Sequence, residues 1–242
     1  MSEAIYLKDS YLKEFEATVV AVKDDKYVVL DRTAFYPNSG GQPHDTGVLM
    51  KEGEEYPVVY AAKFASDISH EVSRPGLKMG DKVTGRIDWP RRYVLMRHHT
   101  AAHIVSQVIR SRTGARVTGN QLDLDKARID FDLENFNKDD LKSYEKEANE
   151  IIAKELPVKK YFLPREVALQ KPELFSLKNV LPPDVQELRI VEIPGFDTSA
   201  CGGCHLDNTR EIGQVEITKS ENKGKFNRRI VFVINNQDKS CQ

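Results

Sequence analysis

The chain of 242 residues carries 36 Lys and Arg against 37 Asp and Glu, a formal net charge of −1 at pH 7, with 40% hydrophobic and 30% charged residues. That length is enough for one large domain or two modest ones. The balanced charge excludes a global pull towards nucleic acid, so any RNA contact must come from a local patch. No apolar run approaches the roughly 20 residues that span a bilayer, and the start, MSEAIYLKDSYLKEFEA, lacks the apolar centre of a secretory signal. A cytoplasmic protein without a membrane partner is expected. Three cysteines, Cys201, Cys204 and Cys241, are too few, and odd in number, for a disulfide scaffold, and read instead as metal or redox candidates.

Residues 15 to 88 read as short strands broken by turns: FEATVVAV and YVVL alternate as a hairpin does, and PVVYAAKF and KVTGRIDW continue the pattern. PNSGGQPHDTG is a glycine-rich loop between strands. The expectation for 1–89 is a small β-barrel or rolled sheet. At Asp88-Trp89-Pro90 the character changes, with an N-cap candidate and an early proline opening a helix. That helix sets Val94, Leu95, Ala102, Val105 and Ile109 at helical spacing, with Gly114 placed as its C-terminal cap. RIDFDL (128–133) follows as a strand, and then a second amphipathic helix over 137–157 carries Leu141, Tyr144, Ala148, Ile151 and Ile152, with Pro157 as its stop. VKKYFL and ELRIVEI read as strands with a short helical piece, PREVALQKP, between them. A final hairpin turns over Asn222-Lys223-Gly224. The fold class expected is α+β: a barrel over 1–89, then a two-layer unit over 90–242 with helices on a mostly antiparallel sheet.

Two stretches carry chemistry. RHHTAAHIV puts His99 and His103 four apart on the first helix, where both rings can point at one metal. A zinc peptidase needs Glu directly after the first His as its base; Thr100 stands there, and that chemistry is excluded. His98, on a different face, reads as an outer or exposed neighbour. About a hundred residues on, DTSACGGCHLDNTREIG supplies Cys201, Cys204 and His205. Either Cys201 with His205 or Cys201 with Cys204 would complete a tetrahedral zinc site. The competing chemistry is a Cys-x-x-Cys dithiol, which leaves the three histidines idle.

HTAAH followed by CGGCH resembles the His-x-x-x-His and Cys-x-x-x-His pair of the alanyl-tRNA synthetase editing domain and its free-standing relatives, the AlaX proteins. The resemblance covers nearly the whole chain: FYPNSGGQPHDTG resembles the family's glycine-rich motif, GRIDWPRRYVLMRHHTAAH its barrel-to-helix junction and CGGCHLDNTREIG its ligand loop. The length resembles the medium-length, free-standing type. Cys204 stands where the family commonly has Thr, and Arg210 where it frequently has Gly. The threonyl-tRNA synthetase editing domain shares the ligand spacing, but Gly202-Gly203 and the GGQ loop favour the alanine system.

The resemblance implies one zinc ion per chain, held by His99, His103, Cys201 and His205 as the catalytic centre. It implies hydrolysis of mischarged alanine tRNA, chiefly serine-charged, with glycine as a second candidate. A small alanine pocket rejects serine only about a hundredfold, so a separate hydrolytic step is the expected remedy. Zinc would either lower the pKa of an attacking water or anchor the substrate. Thr33 is the first candidate to bind the serine hydroxyl and Gln42 the next, with Gly40 and Gly41 allowing close approach of the loop. Asn120 and Gln121 are further lining candidates, and Asp197 and Glu211 are candidates to orient the histidines. Arg91, Arg92, Arg97, Lys223, Lys225, Arg228 and Arg229 are cations available to RNA phosphates, and Phe35 and Tyr36 are aromatics available to stack on the single-stranded acceptor end. A monomer is expected. The alternatives are a non-catalytic tRNA-binding zinc module and a dithiol oxidoreductase.

Overall fold

The computed structural model describes residues 2–64, 67–134, 138–175 and 185–235; Cys241 lies outside them. Six strands form a closed barrel: β1 (Glu14–Lys23), β2 (Tyr27–Leu30), β3 (Gly47–Lys51), β4 (Glu54–Phe64), β5 (Asp67–Val72) and β6 (Lys82–Ile87), in the order β1-β2-β5-β4-β3-β6. All pairings around it are antiparallel. Alternation along the strands turns Phe15, Ala17 and Val19 of β1, Val28 and Leu30 of β2, Tyr56, Val58 and Ala61 of β4 and Val83 and Ile87 of β6 into one core. Closure removes the free edges that an open antiparallel sheet would expose. β3 and β5 escape the sequence pattern for different reasons: GVLMK is a short apolar run without alternation, and DISHEV mixes polar residues into a short strand. The chain folds as two units, Met1–Leu95 and Met96–Gln242, and the division runs through α1 (Trp89–Thr113).

Asp88 caps that helix, its Oδ1 accepting the Arg91 N–H at 3.3 Å. At the far end Gly114 takes φ of +70° and donates its N–H to the Arg110 carbonyl at 2.8 Å. Beyond Met96 the helix is buried on most of its circumference, by Ala101, Ala102, Ile104, Val105, Val108 and Ile109.

In the second unit, β7 (Val117–Leu122) and β8 (Ala127–Phe131) precede α2 (Lys138–Ile152). Then come β9 (Lys159–Pro164), α3 (Arg165–Leu169), β10 (Glu187–Ile193), β11 (Asp197–Ala200), β12 (Gln214–Asn222) and β13 (Arg228–Asn235). They make two antiparallel sheets, β12-β13-β8-β7 and β9-β10-β11. Edge strand β12 is protected from α2: Asn149 donates to the Val215 carbonyl and accepts its N–H, and Glu145 accepts the Ile217 N–H. α2 ends five residues before Pro157, because Glu155 already has φ of +51° and the chain has turned out of the helix.

Several residues expected at the surface are interior. Arg92 is fully buried; it ion-pairs with Asp45 and donates to the carbonyls of Ser10 and Ala34. Asp45 also accepts the Tyr36 N–H at 2.6 Å, so one carboxylate ties the end of the glycine-rich loop to its start. Phe35 and Tyr36 are 0% and 3% exposed, which removes them as platforms for RNA bases. Of the two arginines in WPRRY, Arg92 is thus a core ion-pair partner, and beside the loop Phe35 fills the barrel while Tyr36 packs edge-on against Tyr6.

His70 on β5 is buried beside Thr33. Its Nδ1 lies 2.9 Å from the Val28 carbonyl, which can only accept, so Nδ1 carries the proton and Nε2 accepts the Thr33 hydroxyl at 2.8 Å. Burial holds His70 down to about 4, against the pull of the Val28 carbonyl. The unfolded chain takes up a proton here below about 6.5, whereas the folded chain stays neutral to about 4, so stability falls as pH drops through that window, by roughly 3 kcal/mol in all. Urea unfolding at pH 7.5 and pH 4.5 is expected to show a smaller acid loss in His70→Gln than in the wild type. Equal losses would remove His70 as the cause.

Candidate metal centre

All four donors named by the sequence meet in the second unit. His99 and His103 project from successive turns of α1, and Cys201 and His205 sit in the loop that leaves β11. One donor atom from each lies within 4.8 Å of every other, and among the described residues this is the one such group of His, Cys, Asp and Glu. Cys201 Sγ is 3.6 Å from His99 Nε2 and 3.3 Å from His205 Nε2. Three imidazoles and one thiolate suit a borderline-soft, tetrahedral divalent metal. His99 and His205 are buried, whereas His103 and Cys201 are half-buried.

The loop is held at its backbone. Arg189 of β10, itself buried, donates Nη1–H groups to the carbonyls of Cys201 and Gly203 at 2.9 and 2.8 Å. Arg97, expected at an RNA surface, donates from Nε and Nη2 to the Ile212 carbonyl at 2.8 and 2.6 Å. Gly213 follows with φ of +89°, and a Cβ there would stand 2.7 Å from that guanidinium and 2.4 Å from the Asn235 carbonyl, so no other residue fits. The sequence signal for Arg189 is its place as an arginine amid the apolar run of ELRIVEI.

Cys201, His205 and His103 differ in their hold on protons. Burial alone would push the Cys201 thiol up, but the adjacent His99 and His205 and hydrogen bonds from His103 and His205 outweigh it and hold the thiol well below its usual range. His205 is pushed well down, by burial and then by the charge of His99. Burial also opposes a proton on His103, yet the Asp197 carboxylate and Cys201 raise it to about 10. Asp197 accepts from His103 Nδ1 at 3.0 Å and is fixed in turn by the Ser199 hydroxyl at 3.1 Å. That bond leaves His103 Nε2 as the donor towards the cluster.

Each of the other expected site residues has its own local surroundings. Glu211 Oε1 accepts the Asn208 N–H in a capping box over Thr209–Glu211. His98 is buried with its ring 6.3 Å from that of Phe232, so it is not exposed. Cys204 is fully buried and outside the four-donor group. Thr33, Gly40, Gly41 and Gln42 belong to the barrel unit, where Ser39 and Gln42 bridge across the two glycines. Asn120 and Gln121 are in edge strand β7, with Gln121 exposed and accepting from Arg128 at 2.7 Å. Among the cations, Arg228 is buried against the hairpin turn and Arg229 pairs with Asp130, while Lys223 and Lys225 are exposed at its tip.

The chain belongs to a class related to tRNA synthetases. Residues 3–91 match the model for class II (A) tRNA synthetases, and residues 188–231 match that for the second additional domain of threonyl and alanyl tRNA synthetases. It is 53% identical over 241 residues to the alanyl-tRNA editing protein AlaX-M of Methanosarcina barkeri, covering 97% of this chain and 99% of that protein. Identity to the AlaX-M of Saccharolobus solfataricus is 46%, over 97% and 99% of the two chains. The alanine–tRNA ligase of Thermofilum pendens is 44% identical over 94% of this chain, which corresponds to 25% of that ligase. The protein is a member of the alanyl-tRNA editing protein family.

The Asp197–His103 bond gives a direct expectation. Asp197→Ala should weaken metal binding by about 10- to 100-fold in a chelator competition, and in the metal-free protein should bring His103 down from about 10 towards its ordinary value, as read by histidine proton resonances. Unchanged affinity would show that the carboxylate does not support the ligand.

Proposed function

We propose that the protein is a zinc-dependent deacylase acting in trans in the cytoplasm: it hydrolyses the ester between a wrongly selected amino acid, serine above all, and alanine tRNA. The observation that carries this reading is the convergence of His99, His103, Cys201 and His205, whose donor atoms lie within 4.8 Å of one another. Full-length identity to proteins named for alanyl-tRNA editing supports the substrate class.

Zinc fits the donor set. Bond lengths of about 2.0–2.3 Å in a tetrahedron place sulfur and nitrogen donors roughly 3.6 Å apart, and the Cys201 Sγ separations are 3.6 and 3.3 Å. When bound, zinc supplies Lewis acidity, with about one net positive charge left beside a single thiolate. The chain's own residues hold and orient. Asp197 keeps the His103 proton on Nδ1, Arg189 fixes the carbonyls of the Cys201 turn, and Thr100, in the position where a peptidase has its base, is buried and hydrogen-bonded inwards. An aminoacyl ester is already activated, so no protein base is required.

Serine recognition is assigned to Thr33, with Gln42 and the turn at Gly40 and Gly41. The Thr33 proton is committed to His70 Nε2 and one lone pair of its hydroxyl to the Phe35 N–H at 3.1 Å, so towards a further partner Thr33 acts only as an acceptor through its second lone pair, which suits the hydroxyl donor of serine and offers nothing to alanine.

One observation favours a second reading. Four protein donors is the number found in closed structural zinc sites, whereas catalytic sites commonly use three; a non-catalytic tRNA-binding module would have this count. Deacylation of alanine tRNA charged with serine, glycine or alanine separates the two. The expected outcome is rapid release of serine, slower release of glycine and sparing of alanine, with activity lost on chelation or in His103→Ala and regained by the wild type on adding zinc. Tight tRNA binding with no cleavage of any charged form would establish the structural module instead.

A further inference from the structure

Thr100 is fully buried, and its hydroxyl has one proton and two lone pairs. Three groups lie around Oγ1: the Met96 carbonyl at 2.9 Å, the Leu206 N–H at 3.1 Å and His205 Nδ1 at 3.3 Å. The Met96 carbonyl can only accept and is the nearer of the two groups able to take the Thr100 proton, so the proton goes there. Leu206 N–H can only donate, and it occupies one lone pair. The remaining contact closes in one way: Nδ1 of His205 donates its proton to the second lone pair. His205 then faces the cluster with Nε2 deprotonated, and it is Nε2 that lies 3.3 Å from Cys201 Sγ.

We infer that Thr100 is the positioning residue that sets His205 in its Nδ1–H tautomer, presents Nε2 to the metal, and pins the turn carrying that histidine through Leu206 N–H; this rests on the reading that the four-donor cluster holds zinc. Thr100 thereby joins the two halves of the motif, because a hydroxyl on the helix turn next to His99 fixes the ligand supplied about a hundred residues later. A carboxylate here would also accept from Nδ1 but has no proton for Met96, and valine would offer neither acceptor nor donor. Serine retains the hydroxyl.

The test compares wild type, Thr100→Val and Thr100→Ser for zinc affinity by chelator competition and for the visible absorption of the cobalt-substituted protein. Thr100→Val should bind zinc about 10- to 100-fold more weakly with a shifted cobalt spectrum, and Thr100→Ser should restore both to near wild type. Wild-type affinity and spectrum in the valine variant, or equal weakness in the serine variant, would overturn the role. Should Thr100→Val not fold, nitrogen-15 resonances of the imidazoles in the zinc-loaded wild type decide: Nε2 ligation with a slowly exchanging Nδ1–H is expected, and ligation of His205 through Nδ1 would overturn the inference. A wild type that takes up no zinc overturns the proposed function and this inference together, whereas zinc uptake indifferent to Thr100 overturns this inference alone.

Discussion

The second unit is organised around a single electrostatic difficulty: three imidazoles and a thiol have their ligating atoms within 4.8 Å of one another, and two of the residues are buried. Protons serve such a group badly. His103 is raised to about 10 by Asp197 and Cys201 against the opposing effect of burial, while His205, 4.7 Å away by ring centroid, is driven well below its usual value by burial and by His99. Neighbouring rings are thus pushed in opposite directions, and the thiol is held low between them. A divalent cation meets all four demands at once, because each imidazole binds it neutral and the thiol binds it as thiolate.

Bringing the donors together takes more than the donors. Two pairs with i, i+4 spacing contribute, one on a helix and one on a loop, and they are not equivalent. The helix aligns His99 and His103 through its own periodicity, but the loop has no such ladder. Its shape comes from outside: Arg189 on the carbonyls of Cys201 and Gly203, Thr100 on the Leu206 N–H, and Arg97 on the Ile212 carbonyl next to a glycine that nothing larger can replace. A guanidinium is suited to this work, because it offers several fixed donors to carbonyls that a loop leaves unsatisfied.

The same distinction explains how much was legible in the sequence. Periodic elements were: α1 with its Asp88 cap and Gly114 stop, the core face of α2, the barrel strands of alternating pattern, and the final hairpin. The four donors were legible because ligand spacing is local within each half and the resemblance paired the halves. Strand β7 was not, since VTGNQL carries glycine and polar residues tolerated at a sheet edge but lacks alternation. Nor were the buried arginines. Arg92 looks like a surface cation, and Arg189 is marked only by its apolar neighbours, until the partners distant in sequence, Asp45 and the Cys201 turn, are brought to them. Charge identity is written in the sequence, whereas pairing across 47 residues is not.

Cys201-Gly-Gly-Cys204-His205 contains two overlapping motifs, and spacing alone favours neither. A redox dithiol requires both sulfurs to face one another at an accessible point. Here neither cysteine is in a disulfide; Cys201 is half-buried with its sulfur towards His99 and His205, while Cys204 is fully buried and outside the donor group. The Gly203 amide adds a further donor, 3.5 Å from the Cys201 sulfur. Such donors favour a thiolate and make the sulfur a ligand rather than a partner for the second thiol. The i, i+4 reading therefore prevails over the i, i+3 reading because the surroundings of Cys201 are imidazoles and amides.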